Sequence, residues 1–165
     1  MLSQNGLDDP LRVDAAPLTN ITPKVLASVF QVSENNPLVG LEERAKLLNE
    51  LGQALIRHKY MFEFGDALRP GNLFDYFLQR QEKGVLAARE ILLAILKSMG
   101  EIWPDGSWVD SIAIGDAAYH EAVKRSDITD RIVPFHKLSQ WMSYSLIEPL
   151  PVSYTHLTLP TKNEV

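Results

Sequence analysis

The segment Val133–Leu150, VPFHKLSQWMSYSLIEPL, combines helix signals and polar side chains more densely than any other part of the sequence. Pro134 suits the first turn of a helix and Pro149 ends one, because a proline ring fixes φ and has no N–H to donate. Between them, apolar residues recur at spacings of three and four, which predicts one apolar helical face. These residues are Phe135, Leu138, Met142 and Leu146.

The other side of this predicted helix carries an unusual set of polar and aromatic side chains. At about 100° per residue, four of them fall within one narrow sector and three more lie beside it. The four are Lys137, Trp141, Tyr144 and Glu148, and the three beside them are His136, Gln140 and Ser143. This face has more hydrogen-bonding capacity than packing requires, so we interpret it as a candidate binding surface.

The composition is that of one modest domain with a single core. The chain has 165 residues, of which 45% are hydrophobic, and its net charge of -5 argues against a general nucleic-acid-binding surface. No run approaches the roughly 18 consecutive apolar residues of a membrane helix, and the N-terminal sequence lacks the features of a signal peptide. Because the sequence contains no cysteine, disulfides, thiol nucleophiles and thiolate metal sites are excluded. A cytoplasmic location is the default expectation.

Helical patterns account for most of the remaining chain. Residues 1–20 are polar and marked by prolines. Helices are predicted from Pro23 to Gln31, with Thr22 as the cap, and over residues 38–57, 73–79 and 85–99. Residues 116–124 are a candidate for a further helix, and residues 62–70 read as a loop. A short β-like alternation between residues 108 and 115 is too brief to carry a sheet. The predicted fold class is therefore mainly α, an irregular bundle of five or six helices.

Common catalytic and cofactor-binding motifs are absent from the sequence. It has no phosphate-binding loop, Rossmann glycine pattern, HExxH, GxSxG or EF-hand loop. Its four histidines do not have the spacing of metal ligands, so we expect no metal site and no cofactor.

The C-terminal residues differ in character from the rest. Val152–Leu157 reads VSYTHL and is followed by TLPTKNEV, which resembles a translated sequencing-library adapter; a genuine terminal segment is the alternative. We therefore predict that residues 1–150 form an incomplete helical domain of a longer protein and that residues 151–165 are an artefactual tail.

Four segments resemble one protein family. They are DPLRVDA (Asp9–Ala15), FQVSENNPLVGLEERAKLL (Phe30–Leu48), RPGNLFDYF (Arg69–Phe77) and VPFHKLSQWMSYSLIEPL (Val133–Leu150). Together they resemble the uracil-catabolism protein family of the URC pathway, long described as a domain of unknown function. The resemblance extends over residues 9–150 and is most specific in the last two segments. Members of that family are much longer than this sequence.

The resemblance implies a substrate and a reaction. The pathway opens the uracil ring while the base is still attached to ribose, which leaves a ribosylurea-type species from which urea is released. Cleavage of that N-glycosidic bond is the implied step. The expected partner is thus a small ribosyl or ribosyl-phosphate substrate, with neither nucleic acid nor membrane involved, and the oligomeric state is left open.

A more distant similarity concerns the queuosine-salvage N-glycosidases. It rests on NPLVGLEERAKLLNELG and on FHKLSQ, where Phe135, Lys137 and Gln140 match that family's Phe, Lys and Gln. Those proteins are helical and related in shape to DNA glycosylases, so the similarity implies a fold resembling part of a DNA-glycosylase-like helical domain.

The sequence departs from the uracil-catabolism family in two places. The family has an aromatic and a basic residue after its Gly-Asp pair, whereas here Gly115-Asp116 is followed by Ala117-Ala118-Tyr119. An acidic, tyrosine-containing segment that follows EPL in the family is absent. The catalytic carboxylate of the family would lie outside this sequence if that segment supplies it.

Hydrolysis of a ribosyl C–N bond passes through an oxocarbenium-like transition state. It requires a carboxylate to stabilise the cation or activate water, and a donor that assists the leaving group. Asp116 or Glu148 would supply the carboxylate, and Lys137 would bind a phosphate or polarise the leaving urea. His136 would donate a proton or bind phosphate, and Gln140 would bind the urea group. For each of these residues an ordinary surface or helix-end position is the alternative.

Other predicted substrate-binding residues have structural alternatives as well. Trp141 and Tyr144 would wall the pocket, although core packing is the competing interpretation for Trp141. Arg69 and Asn72 match family positions, yet RPGN is also typical of a loop that leads into a capped helix. The alternative to an enzyme is a non-catalytic helical subunit that binds a partner or a small molecule.

Overall fold

A computed structural model describes residues 12–103, 106–152 and 156–158. The chain forms two compact units, Met1–Leu73 and Phe74–Val165. Helices predominate in both, so the mainly helical prediction is confirmed in outline, but pairs of very short strands occur as well. No helix in the described ranges is both long enough and apolar enough to span a membrane.

The first unit is organised around one long helix. Its helices are α1 (Ala15–Leu18), α2 (Pro23–Val29), α3 (Leu41–Arg57) and α4 (Lys59–Phe62). Both α1 and α2 pack against α3. A Cβ atom at Gly52 of α3 would lie 2.8 Å from Thr19, so only glycine allows the two segments to approach this closely.

The starts of α2 and α3 can be compared with those predicted from the sequence. The Thr22 hydroxyl accepts a hydrogen bond from the Val25 amide, 3.2 Å away, which confirms the capped start of α2. The prediction that α3 starts near Leu38 was wrong. Gly40 adopts a left-handed conformation with φ of 73° and serves as the N-cap, so the helix cannot extend back through it.

A hairpin replaces the predicted loop at residues 62–70. The strands β1 (Glu63–Phe64) and β2 (Ala67–Leu68) pair in antiparallel orientation. A 3-10 turn at Pro70–Asn72 then leads into α5 (Leu73–Leu78), which confirms the third predicted helix.

The second unit contains two packed helices, α6 (Ala88–Met99) and α7 (Lys137–Ile147). The predicted helix start at Val85 was wrong, because β3 (Val85–Ala87) instead pairs in parallel with β8 (His156–Thr158). The segment α8 (Pro149–Val152) follows α7 directly. Whether residues 151–165 belong to the natural protein stays a prediction.

The connection between α6 and α7 contains two small antiparallel pairs. The first is β4 (Trp108–Val109) with β5 (Ile112–Ala113), and the second is β6 (Ala118–Tyr119) with β7 (Ile132–Val133). The candidate helix at residues 116–124 was therefore wrong. Its backbone groups bond to β7 and its neighbours instead, as in the 2.8 Å bond from the His120 amide to the Arg131 carbonyl.

The buried face of α7 differs from the predicted apolar stripe. Ser139 is fully buried and Ser143 is 7% exposed, whereas Phe135 and Leu138 are 64% and 45% exposed. Met142 and Leu146, the other two members of the stripe, are half-buried.

Small residues explain why α7 packs through serines. The facing helix α6 also has small buried residues, Ala94 and Ser98, and small side chains let two helices approach closely. The hydroxyls of Ser98 and Ser143 each donate to the carbonyl four residues earlier, at 2.7 and 2.8 Å. Because these hydroxyls are satisfied within their own helices, burying them leaves no polar group without a partner.

Candidate functional site

Asp116 caps α7 from a position about twenty residues earlier in the chain. Its Oδ2 accepts hydrogen bonds from the Leu138 amide at 2.6 Å and from the Ser139 amide at 3.4 Å. Its Oδ1 accepts a 2.5 Å bond from the Ser139 hydroxyl. An N-cap side chain normally satisfies these second and third amides, and here a carboxylate from the loop before β6 does so. This interaction ties the Gly115–Asp116 loop to the start of α7.

The environment keeps the Asp116 carboxyl group ionised. Burial raises its pKa, but the hydrogen bonds from the Ser139 hydroxyl and from the nearby backbone amides outweigh burial, so the pKa lies below its ordinary value of 3.8. Only 12% of the side chain is exposed. Asp116 therefore presents a fixed negative charge at neutral pH and cannot serve as a proton donor.

His136 lies directly beside this carboxylate. It is the N-cap residue of α7 and has a left-handed backbone with φ of 45°. Its Nδ1 is 3.7 Å from the Asp116 Oδ1, and its amide donates to the Asp116 carbonyl at 3.0 Å. Nδ1 is buried and makes no hydrogen bond within the described residues. Because Nδ1 is buried beside the carboxylate, it can orient the imidazole, and proton transfer to a ligand would use the other ring nitrogen, Nε2.

Gly115 makes this arrangement possible. It has φ of 71°, and an added Cβ would lie 3.5 Å from Leu96 and 3.9 Å from the His136 Nδ1. These are ordinary contact distances, so the backbone conformation and not a lack of space favours glycine here. The turn at Gly115 directs Asp116 towards the start of α7.

A cavity of about 390 Å³ adjoins His136. Aliphatic side chains from β4, β5, β7 and the loops next to them line most of it. Polar or charged groups are contributed by Asp110, Arg125, Thr129 and His136. Its volume falls within the range of small-ligand sites. His136 is the one predicted site residue that lines this cavity.

The predicted polar face of α7 is exposed to solvent. Trp141 and Tyr144 are each 67% exposed, and Lys137, Gln140 and Glu148 are exposed too. Core packing, the alternative interpretation of Trp141, was therefore wrong. The structure thus brings these five residues together as one outward stripe and not around an enclosed pocket.

The two candidate carboxylates, Asp116 and Glu148, lie at opposite ends of α7. The helix rises about 1.5 Å per residue, so the Cα atoms of Lys137 and Glu148 are about 16 Å apart. Carboxyl groups that flank one glycosidic bond are separated by about 5–10 Å. Within one chain, Asp116 is therefore the carboxylate positioned beside His136 and Lys137.

Arg69 and Asn72 belong to the first unit, where they stabilise the hairpin. Asn72 is 1% exposed, and its side-chain amide donates to the carbonyls of Phe62 and Ala67, each at 2.8 Å. The Arg69 Nε donates to the Asn72 Oδ1 at 2.7 Å. These contacts account for both residues structurally, and substrate binding by them stays a prediction.

Ser139 is the component of the site that sequence reasoning missed. It falls on the side of α7 opposite the polar stripe, and a serine inside a helix carries no signal of its own. The serine lies two residues after Lys137, where a first-turn hydroxyl can reach a capping carboxylate. That spacing is a signal only once the Gly115–Asp116 pair is known to approach α7.

Among the described residues, no three potential ligand side chains form a metal-binding group.

These features define a mainly helical protein with a carboxylate–imidazole pair at a helix N-terminus. The chain belongs to the family described as protein of unknown function (DUF1688), which matches residues 1–163. No solved structure matches the chain.

Two curated relatives identify the family more closely. Uracil catabolism protein 4 of Lachancea kluyveri is 36% identical over 158 residues, which cover 90% of this chain and 35% of the relative. Protein urg3 of Schizosaccharomyces pombe is 33% identical over 163 residues, which cover 99% of this chain and 36% of the relative. The assignment to the uracil-catabolism family is thereby confirmed. The chain spans about a third of the length of these relatives.

Proposed function

We propose that this chain is part of an N-glycosidase-like enzyme of uracil catabolism. The enzyme hydrolyses the bond between ribose and urea in a ribosylurea-type intermediate. The name of the relative from Lachancea kluyveri supports a role in uracil catabolism. One structural observation supports the reaction: an ionised, fixed carboxylate on Asp116 lies 3.7 Å from the unpartnered Nδ1 of His136.

The proposed chemistry assigns a different task to each group. As the C1′–N bond breaks, positive charge develops on the ribosyl ring, and the Asp116 carboxylate stabilises it. His136 donates a proton from Nε2 to the departing urea nitrogen, and the water that adds to C1′ returns a proton to His136, so that ribose and urea are formed. Lys137, at the exposed start of α7, binds a phosphate on the substrate. The fixed charge of Asp116 suits its task, because a carboxylate must stay ionised to stabilise positive charge on the ribosyl ring.

The hydrogen bonds of Asp116 also restrict how a substrate phosphate can bind. Both of its oxygens already accept hydrogen bonds from α7, so the second and third amides of that helix are not available to a phosphate. A substrate phosphate therefore has to bind through side chains such as Lys137 and Gln140. This favours a ligand that binds at the N-terminal end of α7 only, with its phosphate beside Lys137 and Gln140 and its ribose at Asp116.

The reaction is tested with a purified full-length family member that carries these residues. Ribosylurea and its 5′-phosphate are supplied separately, and urea release is measured over time. Asp116→Asn and His136→Gln should each lower kcat by about 100-fold or more, as expected for groups that act on the transition state. Glu121→Gln, a change at an exposed carboxylate, is the matched control. If neither compound yields urea, the proposed reaction is wrong.

A non-catalytic binding subunit is the second candidate function. The 67% exposure of Trp141 and Tyr144 favours it, because exposed aromatic residues are common in interfaces. Lys137→Arg combined with Gln140→Ala separates the two candidates. In an enzyme this pair of changes should abolish turnover without unfolding the protein, whereas a binding subunit should lose its partner only when exposed apolar residues are changed.

A further inference from the structure

Four residues of the exposed stripe of α7, all except Gln140, are arranged symmetrically about the middle of the helix. Lys137 and Glu148 lie at its two ends, and Trp141 and Tyr144 lie between them. Both pairs are centred on the peptide bond between Met142 and Ser143, and all four side chains share one narrow angular sector. A helix placed antiparallel to an identical helix about this centre would thus present Glu148 to Lys137 and Tyr144 to Trp141.

Lys137 and Glu148 each lie at the end of α7 where the helix dipole disfavours their charge. Lys137 is in the first turn of α7, where the helix dipole favours anions, and Glu148 is its C-cap residue, where the dipole favours cations. The first turn of the helix itself has no acidic residue and the last has no basic one, although the Asp116 carboxylate caps the N-terminus from outside the helix. Next to an antiparallel second helix, each charge lies beside the helix end of opposite polarity and beside an opposite charge.

We propose that α7 forms an antiparallel, two-fold symmetric contact with α7 of a second copy of this chain. Lys137 of each copy pairs with Glu148 of the other, and Trp141 packs against Tyr144 across the axis. A two-fold contact requires one self-complementary patch, and the stripe provides one. Exposed Leu138 extends its apolar area at the edge. Because one helix from each copy makes a small interface, the dimer should dissociate in the micromolar range.

This contact would also complete the carboxylate pair of the proposed function, on which this part of the inference rests. Within one chain Glu148 is remote from Asp116, whereas in the dimer Glu148 of the second copy approaches Lys137 and the N-terminus of α7. Each site then combines Asp116, His136 and Lys137 from one copy with Glu148 from the other.

Sedimentation velocity of the 165-residue chain tests the dimer independently of any activity. Between about 1 and about 200 µM, the weight-average sedimentation coefficient should rise from the monomer to the dimer value. Lys137→Glu and Glu148→Lys should each weaken the dimer at least about tenfold, because each places like charges opposite one another twice. The double variant Lys137→Glu/Glu148→Lys reverses both charges and should restore the wild-type Kd.

The controls separate the interface from folding. Lys97→Glu, the same charge reversal on an exposed position of α6, should leave the Kd unchanged. Since all four stripe residues are exposed, each variant should keep the wild-type circular dichroism spectrum and cooperative thermal unfolding. A chain that stays monomeric over the whole range, or a double variant that remains as weak as the single ones, overturns the proposed contact.

Mixing variants tests the shared site. Full-length proteins with Asp116→Asn or Glu148→Gln should each be inactive alone. After mixing and exchange of subunits, half of the dimers hold one intact site of two, so about a quarter of the wild-type urea release should return. No recovery, in a protein that dimerises and is active as wild type, would show that Glu148 does not act across the contact.

Discussion

Asp116 should contribute to stability through its cap on α7, and the contribution can be worked out from its contacts. Substitution by alanine removes an N-cap, worth about 1 kcal/mol, and leaves the fully buried Ser139 hydroxyl without its acceptor, which costs about 1–3 kcal/mol. Asp116→Ala should therefore lower the free energy of unfolding by about 2–4 kcal/mol. Asp116→Asn keeps the shape and one acceptor oxygen but loses the charge, so its effect should be about 1–2 kcal/mol.

The effect should depend on pH in a defined direction. Because the pKa of folded Asp116 lies below its ordinary value of 3.8, the ionised carboxylate stabilises the fold at pH above that value. This contribution is lost as the pH falls through the folded pKa. The stability difference between wild type and Asp116→Asn should thus be complete at pH 7 and shrink below about pH 4.

Urea denaturation at pH 7 and at pH 3, followed by circular dichroism at 222 nm, measures both differences. Glu121→Gln is the control, because it removes an exposed carboxylate that makes no capping contact. If Asp116→Asn were as stable as wild type at pH 7, the carboxylate would not stabilise α7 as inferred. A difference of the same size at pH 3 would show that shape and not charge accounts for it.

Three further substitutions test contacts in the first unit, each by chemical denaturation at pH 7. Gly52→Ala should destabilise the chain by about 1–3 kcal/mol, because its Cβ would lie 2.8 Å from Thr19; Gly71→Ala, with no atom within 4 Å of its Cβ, is the matched control. Asn72→Ala should lower stability by about 2–4 kcal/mol, since the Phe62 and Ala67 carbonyls each lose the hydrogen bond that the buried Asn72 amide donates. Thr22→Ala removes the cap of α2 and should cost about 1 kcal/mol. An unchanged midpoint in any of the three would contradict the corresponding contact.

The sequence alone determined the main helices and several of their ends. The periodic segments of α2, α3, α5, α6 and α7 are each found as helices because their apolar spacing acts locally, although α3 and α6 begin three residues later than predicted. Thr22 caps α2 as its position next to Pro23 predicts. The exposure of the polar stripe on α7 also follows from local chemistry, since lysine, glutamine and glutamate are costly to bury.

Only the tertiary structure decided which side of α7 is buried and which groups meet at its start. Leu138 is more hydrophobic than Ser139, yet Ser139 is buried, because α6 presents small residues and because Asp116 supplies the partner that its hydroxyl needs. The strands β3, β6 and β7 likewise depend on partners that are distant in sequence. Local periodicity determines whether a segment is helical. The packing surface and the pairing of Asp116 with His136 depend on a contact across about twenty residues, which no local pattern encodes.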